Sequence, residues 1–367
     1  MGVPLLEKLP SKRRRRLGDF VAVALLLAIV AGMGWLWWLQ KQPKKNSRVG
    51  AHPAVQSRIV STSSIQPKLK PIVILPQSPA EFPRPVHGVF EAQVALARRA
   101  ISPGSLDAAI GSQTRAALAA FQRSQKLFAT GTLDTNTRSL LTLDSPLLAD
   151  YVITTNDLAR LQPLGQTWLA KSEQSALDFE TLLELVAEKA HAYPILIQKL
   201  NPDVNWTNVL AGTVLKISDV NYPEPASQAA FVVIHLSEKY LEAFDAETNL
   251  LAHFPCSIAA RVEKRPVGEL HVAVVAPHPN YTVDPALFPE SVELQALGHK
   301  LILPPGPNNP VGVAWIGLDK PGYGMHGTPS PEQVGRTESH GCFRLANWDA
   351  EYLLKLVWIG MPVEVLP

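Results

Sequence analysis

The hydrophobic and polar positions divide the 367-residue chain into five stretches of different character. Residues 20–39 carry no charge, and residues 40–87 are rich in proline. Residues 88–145 place apolar side chains at helical spacing, and residues 151–220 have the pattern strand, helix pair, strand. From residue 228 onward, short apolar runs separated by glycine and proline predict β-strands. We therefore expect a multidomain protein with an N-terminal transmembrane helix, a small all-α domain, an α/β module and a mainly-β domain.

The mainly-β domain is expected to occupy residues 228–367. The pattern predicts one helix at about 347–358 and strands over 231–236, 240–244, 250–255, 270–275, 300–303, 313–317 and 362–366. Many short strands with turn residues between them are typical of a β-sandwich or a barrel.

Residues 20–39 are long enough to cross a bilayer as a helix, and three tryptophans at its end suit the membrane interface. Six basic residues precede this segment and four follow it, which predicts a cytoplasmic N-terminus. We expect a cytoplasmic basic tail at 1–19, a single-pass anchor at 20–39 in the inner or plasma membrane, a linker at 40–87, and a periplasmic or otherwise extracytoplasmic remainder. A cleaved signal peptide is the alternative, with Gly32-Met33-Gly34 as its only small-x-small candidate site.

The charge is distributed unevenly along the chain. Residues 1–50 contain ten Lys or Arg and two acidic residues, a local charge of +8. Since the whole chain carries +2, the remainder carries −6. A mildly acidic folded part does not indicate a nucleic-acid partner.

The candidate chemistry lies between residues 322 and 345. Only two cysteines are present, and Cys342 follows His340 and Gly341, with His326 one loop upstream. Acyl transfer by a thiol requires the thiolate, so a neighbouring imidazole must take the proton or hold an ion pair. His326 and His340 are the candidates, and Gly341 leaves room for backbone N–H groups to approach an oxyanion.

Two further expectations concern the neighbours of these groups. The Gly327 carbonyl can accept the second imidazole N–H of His326 and so fix its tautomer. We interpret Cys256 as a small apolar strand residue, because a disulfide with Cys342 would block the nucleophile.

This block resembles the signature of the L,D-transpeptidases, in which His-Gly-Thr is followed by Ser-His-Gly-Cys, a hydrophobic residue and Arg or Asn. The resemblance covers about residues 228–367. It implies that Cys342 is the nucleophile and His326 the base, and that His340 and Gly341 shape the oxyanion pocket. Arg344 would steady the loop or bind a substrate carboxylate, and an ordinary ion pair is the alternative.

Tyr323 and Ser339 complete the expected substrate-binding residues, and a core position is the alternative for Tyr323. A zinc site built from the two histidines and the cysteine is a further alternative, although tighter ligand spacing is usual for zinc. We expect neither a metal nor a cofactor.

Two other stretches resemble wall-binding modules. Residues 88–145 are similar to the three-helix peptidoglycan-binding domain, and residues 151–220 are similar to a LysM module with an insertion near 164–175. A spacer for the first module and a packing domain for the second are the alternatives.

The resemblance implies a membrane-anchored peptidoglycan L,D-transpeptidase. It would cleave a stem tetrapeptide after its third residue and form 3→3 cross-links, with carbapenems as inhibitors. An L,D-carboxypeptidase, a non-catalytic wall-binding protein and a zinc hydrolase are the alternatives.

Overall fold

The computed structural model describes residues 81–337, Ser339 and residues 341–367. The expected basic tail at 1–19, the expected anchor at 20–39 and the expected linker up to residue 80 lie outside the described residues. Within the part that is described, no helix has the length and apolar character needed to cross a membrane.

The first module consists of three helices and a short ribbon. The ribbon pairs β1 (Arg84–Pro85) with β2 (Thr142–Leu143), and the helices between them are α1 (Val89–Ala97), α2 (Ser112–Ser124) and α3 (Thr135–Leu140). In α2, buried Thr114, Ala117, Leu118 and Phe121 recur at helical spacing. The expectation of an all-helical domain is therefore correct for its helices but omits the ribbon, which forms because the two ends of the module meet and pair their backbone groups.

The second module has the expected first and last strands, but four helices rather than a helix pair lie between them. Its strands β3 (Leu148–Val152) and β4 (Val214–Ser218) are antiparallel. Between them lie α4 (Thr155–Ala159), α5 (Trp168–Ser172), α6 (Leu182–Lys189) and α7 (Pro194–Leu200). Capping boxes begin α4 and α6 at Thr154 and Thr181. Helix α5 is part of the insertion that the sequence indicated near 164–175.

A single hydrophobic core joins these two modules. It includes Leu96, Leu118 and Phe121 from the first module and Leu185 and Leu215 from the second. All five side chains are at most 2% exposed. The two modules are therefore packed against each other as one body.

The remaining strands build one eight-stranded sheet and one two-stranded sheet. The strands are β5 (Phe231–His235), β6 (Tyr240–Phe244), β7 (Leu250–Pro255), β8 (Gly268–Pro277), β9 (Tyr281–Val283), β10 (Leu301–Leu303), β11 (Ala314–Leu318), β12 (Gly324–His326), β13 (Phe343–Arg344) and β14 (Pro362–Leu366). The large sheet has the order β13-β12-β11-β8-β14-β5-β6-β7, and β9 pairs with β10 in the small one. Helices α8 (Val292–Leu297) and α9 (Asn347–Leu356) complete the region.

The expectation of a mainly-β domain is confirmed for this region, which is built on one large half-barrel sheet rather than on a sandwich of two sheets. The strands of the large sheet share a buried cluster with Ala350, Tyr352, Leu353 and Leu356 of α9. Because this helix covers apolar positions of the sheet, no second large sheet is needed to bury them. The small β9–β10 sheet has a separate cluster with Leu294 of α8.

A polar junction joins all three parts of the described chain. The carboxylate of Asp349 accepts hydrogen bonds from Tyr222 Oη at 2.5 Å and from Ser102 Oγ at 3.1 Å. Nearby, the His191 ring stacks on Trp348, with ring centres 5.0 Å apart. Asp349 is 1% exposed, so its two hydrogen bonds replace the water contacts that it lacks.

Candidate active site

The pairing of β12 with β13 brings the chain at Cys342 close to the strand that carries His326. The two strands are parallel, with Met325 opposite Phe343 and His326 opposite Arg344. Met325 and Phe343 are buried in the core, so the alternate positions face the other side. Cys342 directly precedes β13, and its sulfur contacts the Gly322 carbonyl, just before the strand that ends with His326.

His326 is held in one tautomer by its own backbone neighbour. Its Nδ1 donates a hydrogen bond to the Gly327 carbonyl at 2.6 Å, and the side chain is buried. Nε2 then carries the lone pair when the ring is neutral; this tautomer is assigned from the hydrogen bond. The pKa of His326 is lowered to about 4. Burial is the main cause and the positive charge of Arg344 a smaller one, while the hydrogen bond to Gly327 acts in the opposite direction. At neutral pH His326 is therefore an uncharged proton acceptor.

Trp315 fixes the plane of this imidazole. It is the register partner of His326 on β11, and the two rings stack with centres 5.6 Å apart and planes 28° apart. The indole also covers Gly324, where an added Cβ would lie 2.8 Å from the ring. A glycine at 324 is thus required for the stack to form in this geometry.

Cys342 is a partly buried thiol rather than a preformed thiolate. Burial raises its pKa above the usual range, while the Gly324 N–H and the charge of Arg344 act in the opposite direction. The sulfur donates to the Gly322 carbonyl at 3.5 Å. With His326 neutral as well, the pair is uncharged, which favours general-base activation over a standing ion pair.

Ser339 stabilises the segment that leads to Cys342, which is called the nucleophile loop below. Its hydroxyl donates to the Cys342 carbonyl at 2.5 Å and accepts from the Gly341 N–H at 3.2 Å. Its own N–H donates to the Ile258 carbonyl at 2.8 Å, and the side chain is buried. Ser339 thus braces the loop in this conformation, and its contact with substrate stays a prediction.

The oxyanion assignment of Gly341 also stays a prediction. The Gly341 N–H already donates to Ser339. The neighbouring Cys342 N–H is therefore the better candidate donor for an oxyanion. The second predicted histidine, His340, lies outside the described residues.

The positive charge of Arg344 affects the pKa of several groups in the site. Its backbone exchanges two hydrogen bonds with Ser257, at 2.9 and 3.0 Å. The guanidinium influences the pKa of Cys342 and of His326, and also that of Tyr281 on β9. Substrate binding by Arg344 stays a prediction.

Tyr323 lies beside the nucleophile loop. Its ring is 3.8 Å from the position that a Cβ on Gly341 would occupy, and Lys320 Nζ is 5.2 Å from the ring centre. The ring also packs against the core cluster of the large sheet. Tyr323 therefore combines a core contact with a position at the site.

The second cysteine lies buried directly after β7. Cys256 is a free thiol with no exposed surface, and burial raises its pKa to about 12. The prediction of an apolar position not paired with Cys342 is confirmed, but its assignment to a strand is wrong, because β7 ends at Pro255. Across the residues that the structure describes, no cluster of three or more His, Cys, Asp or Glu side chains could hold a metal ion.

Three contributors to the site were missed by sequence reasoning. Trp315 was assigned only to a strand, Gly324 was given no role, and Tyr281 belongs to a strand that was not predicted. The Gly-x-Gly pattern before Met325 was the available signal for Gly324, because closely spaced glycines indicate a close approach of other groups. Neither Trp315 nor Tyr281 had a local signal.

Family models match two parts of the chain. Residues 229–365 match the model described as the L,D-transpeptidase catalytic domain, and residues 87–141 match the model of a peptidoglycan binding domain. YkuD of Bacillus licheniformis, which bears the name of an L,D-transpeptidase, is 26% identical over 188 residues, 51% of this chain and 94% of that protein. YbiS of Escherichia coli, named as a probable L,D-transpeptidase, is 28% identical over 174 residues, 46% of this chain and 55% of that protein.

Solved structures also include similar proteins. L,D-transpeptidase 3 of Mycobacterium tuberculosis, in complex with a faropenem-derived adduct, is 19% identical, with a TM-score of 0.30 over 44% of this chain and 76% of that chain. The family models, together with the sulfur, imidazole and loop described above, identify the carboxyl-terminal region at 229–365 as an L,D-transpeptidase catalytic domain.

Proposed function

We propose that this protein is a peptidoglycan L,D-transpeptidase whose nucleophile is Cys342. The observation that carries the proposal is the position of the Cys342 sulfur against the backbone of Gly322 and Gly324, at the beginning of the strand that ends with a neutral His326. The hydrogen bond from Nδ1 to Gly327 leaves Nε2 to take the thiol proton. His326 is thus the general base, and the Gly327 carbonyl orients it.

The first half-reaction forms a thioester. The thiol proton moves to His326 Nε2 as the sulfur attacks the carbonyl carbon of the third stem-peptide residue, usually diaminopimelate. The C–N bond to the terminal D-alanine then breaks, and the imidazolium returns its proton to the leaving amine. Backbone N–H groups of the nucleophile loop, with that of Cys342 as the first candidate, stabilise the oxyanion between these steps.

The second half-reaction resolves the thioester. An acceptor amine, for which we propose the side-chain amine of another stem peptide, attacks the same carbonyl while His326 takes its proton. The C–S bond breaks, the thiol recovers the proton, and a 3→3 cross-link results. Water in place of the amine would give L,D-carboxypeptidase activity through the same intermediate.

The amino-terminal modules are proposed to hold the enzyme on its substrate. The match of residues 87–141 to a peptidoglycan-binding model supports this role for the first module. For residues 151–220 we propose a LysM-like fold, on the basis of two antiparallel strands that enclose helices. Binding of purified wall sacculi by residues 81–227 would test both, with loss of binding expected when either module is disrupted.

We further propose a single-pass anchor at residues 20–39 with a cytoplasmic N-terminus. The apolar length and the flanking basic residues support this localisation. The full chain should stay with membranes through alkaline washing, and a chain that begins at residue 40 should be released. Release of the full chain would contradict the anchor.

Covalent labelling tests the catalytic proposal directly. A carbapenem incubated with the full chain should add one adduct, because Cys342 is accessible whereas Cys256 is fully buried. The adduct should be absent from Cys342→Ala and unaffected in Cys256→Ala. Release of D-alanine from a stem tetrapeptide should follow the same pattern.

Two results would favour the alternatives. An unlabelled wild-type protein without activity on tetrapeptides would leave a wall-binding protein. Stoichiometric zinc in purified protein, together with activity that is lost on chelation, would favour a zinc hydrolase.

A further inference from the structure

A cleft of about 410 Å³ lies between Arg344, two residues after Cys342, and the second module. Arg344 lines one part of it, and Trp168 and Lys171, both on α5, line another. Its remaining described lining residues are Ser257, Asn308, Pro310, Thr328, Pro329, Ser330, Gln333, Val334 and Thr337. The insertion in the second module therefore forms part of a cleft that otherwise belongs to the catalytic domain.

The catalytic domain holds the beginning of α5 in place. The Glu293 carboxylate accepts hydrogen bonds from the Trp168 N–H at 3.0 Å and the Leu169 N–H at 2.9 Å. These bonds lower the pKa of Glu293, so the carboxylate is charged at neutral pH. The Trp168 ring also contacts Phe288, with ring centres 5.8 Å apart.

A second set of contacts fixes the chain after α5. The Leu177 N–H donates to the Pro305 carbonyl, and the Leu177 carbonyl accepts from the Asn308 N–H, both at 2.9 Å. Gly306 lies so close that an added Cβ would meet the Leu177 carbonyl oxygen at 2.1 Å. With both of its ends attached to the catalytic domain, α5 presents Trp168 and Lys171 at a defined place in the cleft.

The charge of the cleft indicates an anionic ligand. Lys171 Nζ lies 5.9 Å from the centre of the Trp168 ring, an arrangement in which the aromatic face helps to place the ammonium. Among the described side chains that line the cleft, none is acidic, and the uncharged ones include five amide or hydroxyl groups besides Ser257. Such a surface suits a peptide that carries a carboxylate.

We propose that Lys171 and Trp168 form a substrate subsite that binds a carboxylate of the peptidoglycan stem peptide. This inference rests on the proposed function, because the peptide that reaches Cys342 is also the ligand of the cleft. Lys171 supplies the charge, and Trp168 covers the apolar part of the peptide beside it. The second module thus takes part in selecting the acyl donor or acceptor.

The test is a kinetic comparison of full-length variants on a stem tetrapeptide. Lys171→Gln should raise KM about five-fold to ten-fold at low salt and leave kcat nearly unchanged, because the contact is distant from the reacting bond. Lys171→Arg should restore most of the affinity. Lys199→Gln is the matched control, since Lys199 belongs to the same module but does not line this cleft.

A binding measurement separates this inference from the proposed function. In a Cys342→Ala background, isothermal titration calorimetry measures tetrapeptide binding, and Lys171→Gln should raise Kd by the same factor as KM. Tetrapeptides amidated at one carboxylate at a time identify the group that Lys171 contacts. When that carboxylate is amidated, the peptide should bind with equal affinity to Cys342→Ala and to Cys342→Ala with Lys171→Gln.

The outcomes are distinct. Equal KM and Kd for wild type and Lys171→Gln, with an active wild type, would overturn the subsite alone. A wild type that neither cleaves nor binds the tetrapeptide, although iodoacetamide still labels Cys342, would overturn the proposed function and the subsite together. An effect of Lys171→Gln that persists with every amidated peptide would assign the cleft to another ligand, such as glycan.

Discussion

The imidazole of His326 and the indole of Trp315 form a stacked pair across adjacent antiparallel strands. One ring is the proposed base and the other is only partly exposed, so each restricts the rotation of its neighbour. General-base catalysis by His326 therefore depends on an aromatic side chain that takes no part in proton transfer.

Replacing Trp315 tests this dependence. Trp315→Leu should lower the rate of acylation by a carbapenem about ten-fold, because the imidazole would sample unproductive orientations. Trp315→Phe, which keeps a ring, should be close to wild type. The measurement is adduct formation by mass spectrometry, with thermal unfolding to verify the fold. Trp358→Leu, outside the site, is the control, and equal losses in the Leu and Phe variants at Trp315 would contradict the stacking role.

The pH dependence of acylation should reflect a neutral pair. Because the pKa of His326 is lowered to about 4, the base stays unprotonated down to that pH, and kcat/KM should fall only below about pH 4 rather than near 6.5. Because the pKa of Cys342 is raised, alkylation by iodoacetamide should still increase above pH 9. An alkylation rate that reaches its plateau below pH 7 would instead indicate a standing thiolate–imidazolium pair.

Removing the base gives the companion experiment. His326→Gln should reduce acylation by about 10² to 10⁴, because the thiol would lose its proton acceptor. His299→Gln, which replaces an exposed histidine between α8 and β10, should have no effect. Retention of wild-type acylation in His326→Gln would exclude His326 as the base.

Gly324→Ala should damage both the fold and the site. The new methyl group would lie 2.8 Å from the Trp315 ring and 2.9 Å from the Ile316 carbonyl oxygen, so the strand or the indole must shift. We expect a loss of about 1 to 3 kcal/mol in the free energy of unfolding and slower acylation. Urea titration measures the former. Gly88→Ala, where the added Cβ meets nothing within 4 Å, should change stability by less than about 1 kcal/mol.

Asp349 should make stability depend on pH at the junction of the three parts. Burial raises its pKa to about 7, against the hydrogen bonds from Tyr222 and Ser102. The folded state therefore holds a proton that the unfolded chain releases near pH 4. Its contribution to stability is complete below about pH 4 and is lost progressively as the pH rises to about 7.

The comparison of Asp349→Asn with wild type isolates this contribution. The difference in the free energy of unfolding between the two proteins should change by about 2 to 4 kcal/mol between pH 4 and 7. Glu188, whose pKa burial raises to about 8, acts in the same direction in both proteins, and His191, whose pKa burial lowers to about 3, acts in the opposite direction. A difference that does not vary with pH would show that Asp349 is ionised throughout.

Local pattern was sufficient for the regular strands of the catalytic domain. The strands at 240–244 and 250–255 have the predicted bounds, because their apolar and aromatic residues flank a clear turn at 245–249. The two strands that carry the site, β12 and β13, were not predicted. They are three and two residues long, β12 begins with Gly324, and Gly341 lies two residues before β13, so both have little intrinsic preference for a strand.

Tertiary relationships were beyond local pattern for a different reason. Whether a helix or a second sheet covers a given sheet depends on where a distant segment such as α9 packs. The spacing of apolar residues within a strand does not determine this. The stack of Trp315 on His326 and the place of Lys171 in the cleft likewise depend on the register of distant segments. The motif around Cys342 identified the chemistry because it is contiguous in sequence, whereas its supporting residues are not.

The common core of the two amino-terminal modules bears on how this protein could have evolved. If the chain were divided near residue 146, the shared core would be split and the backbone hydrogen bonds of Leu106 with His191 and Tyr193 would be lost. Recombination between genes would therefore be tolerated more readily at the ends of the pair than between its members. We expect the two modules to be inherited together, as a single unit of exchange.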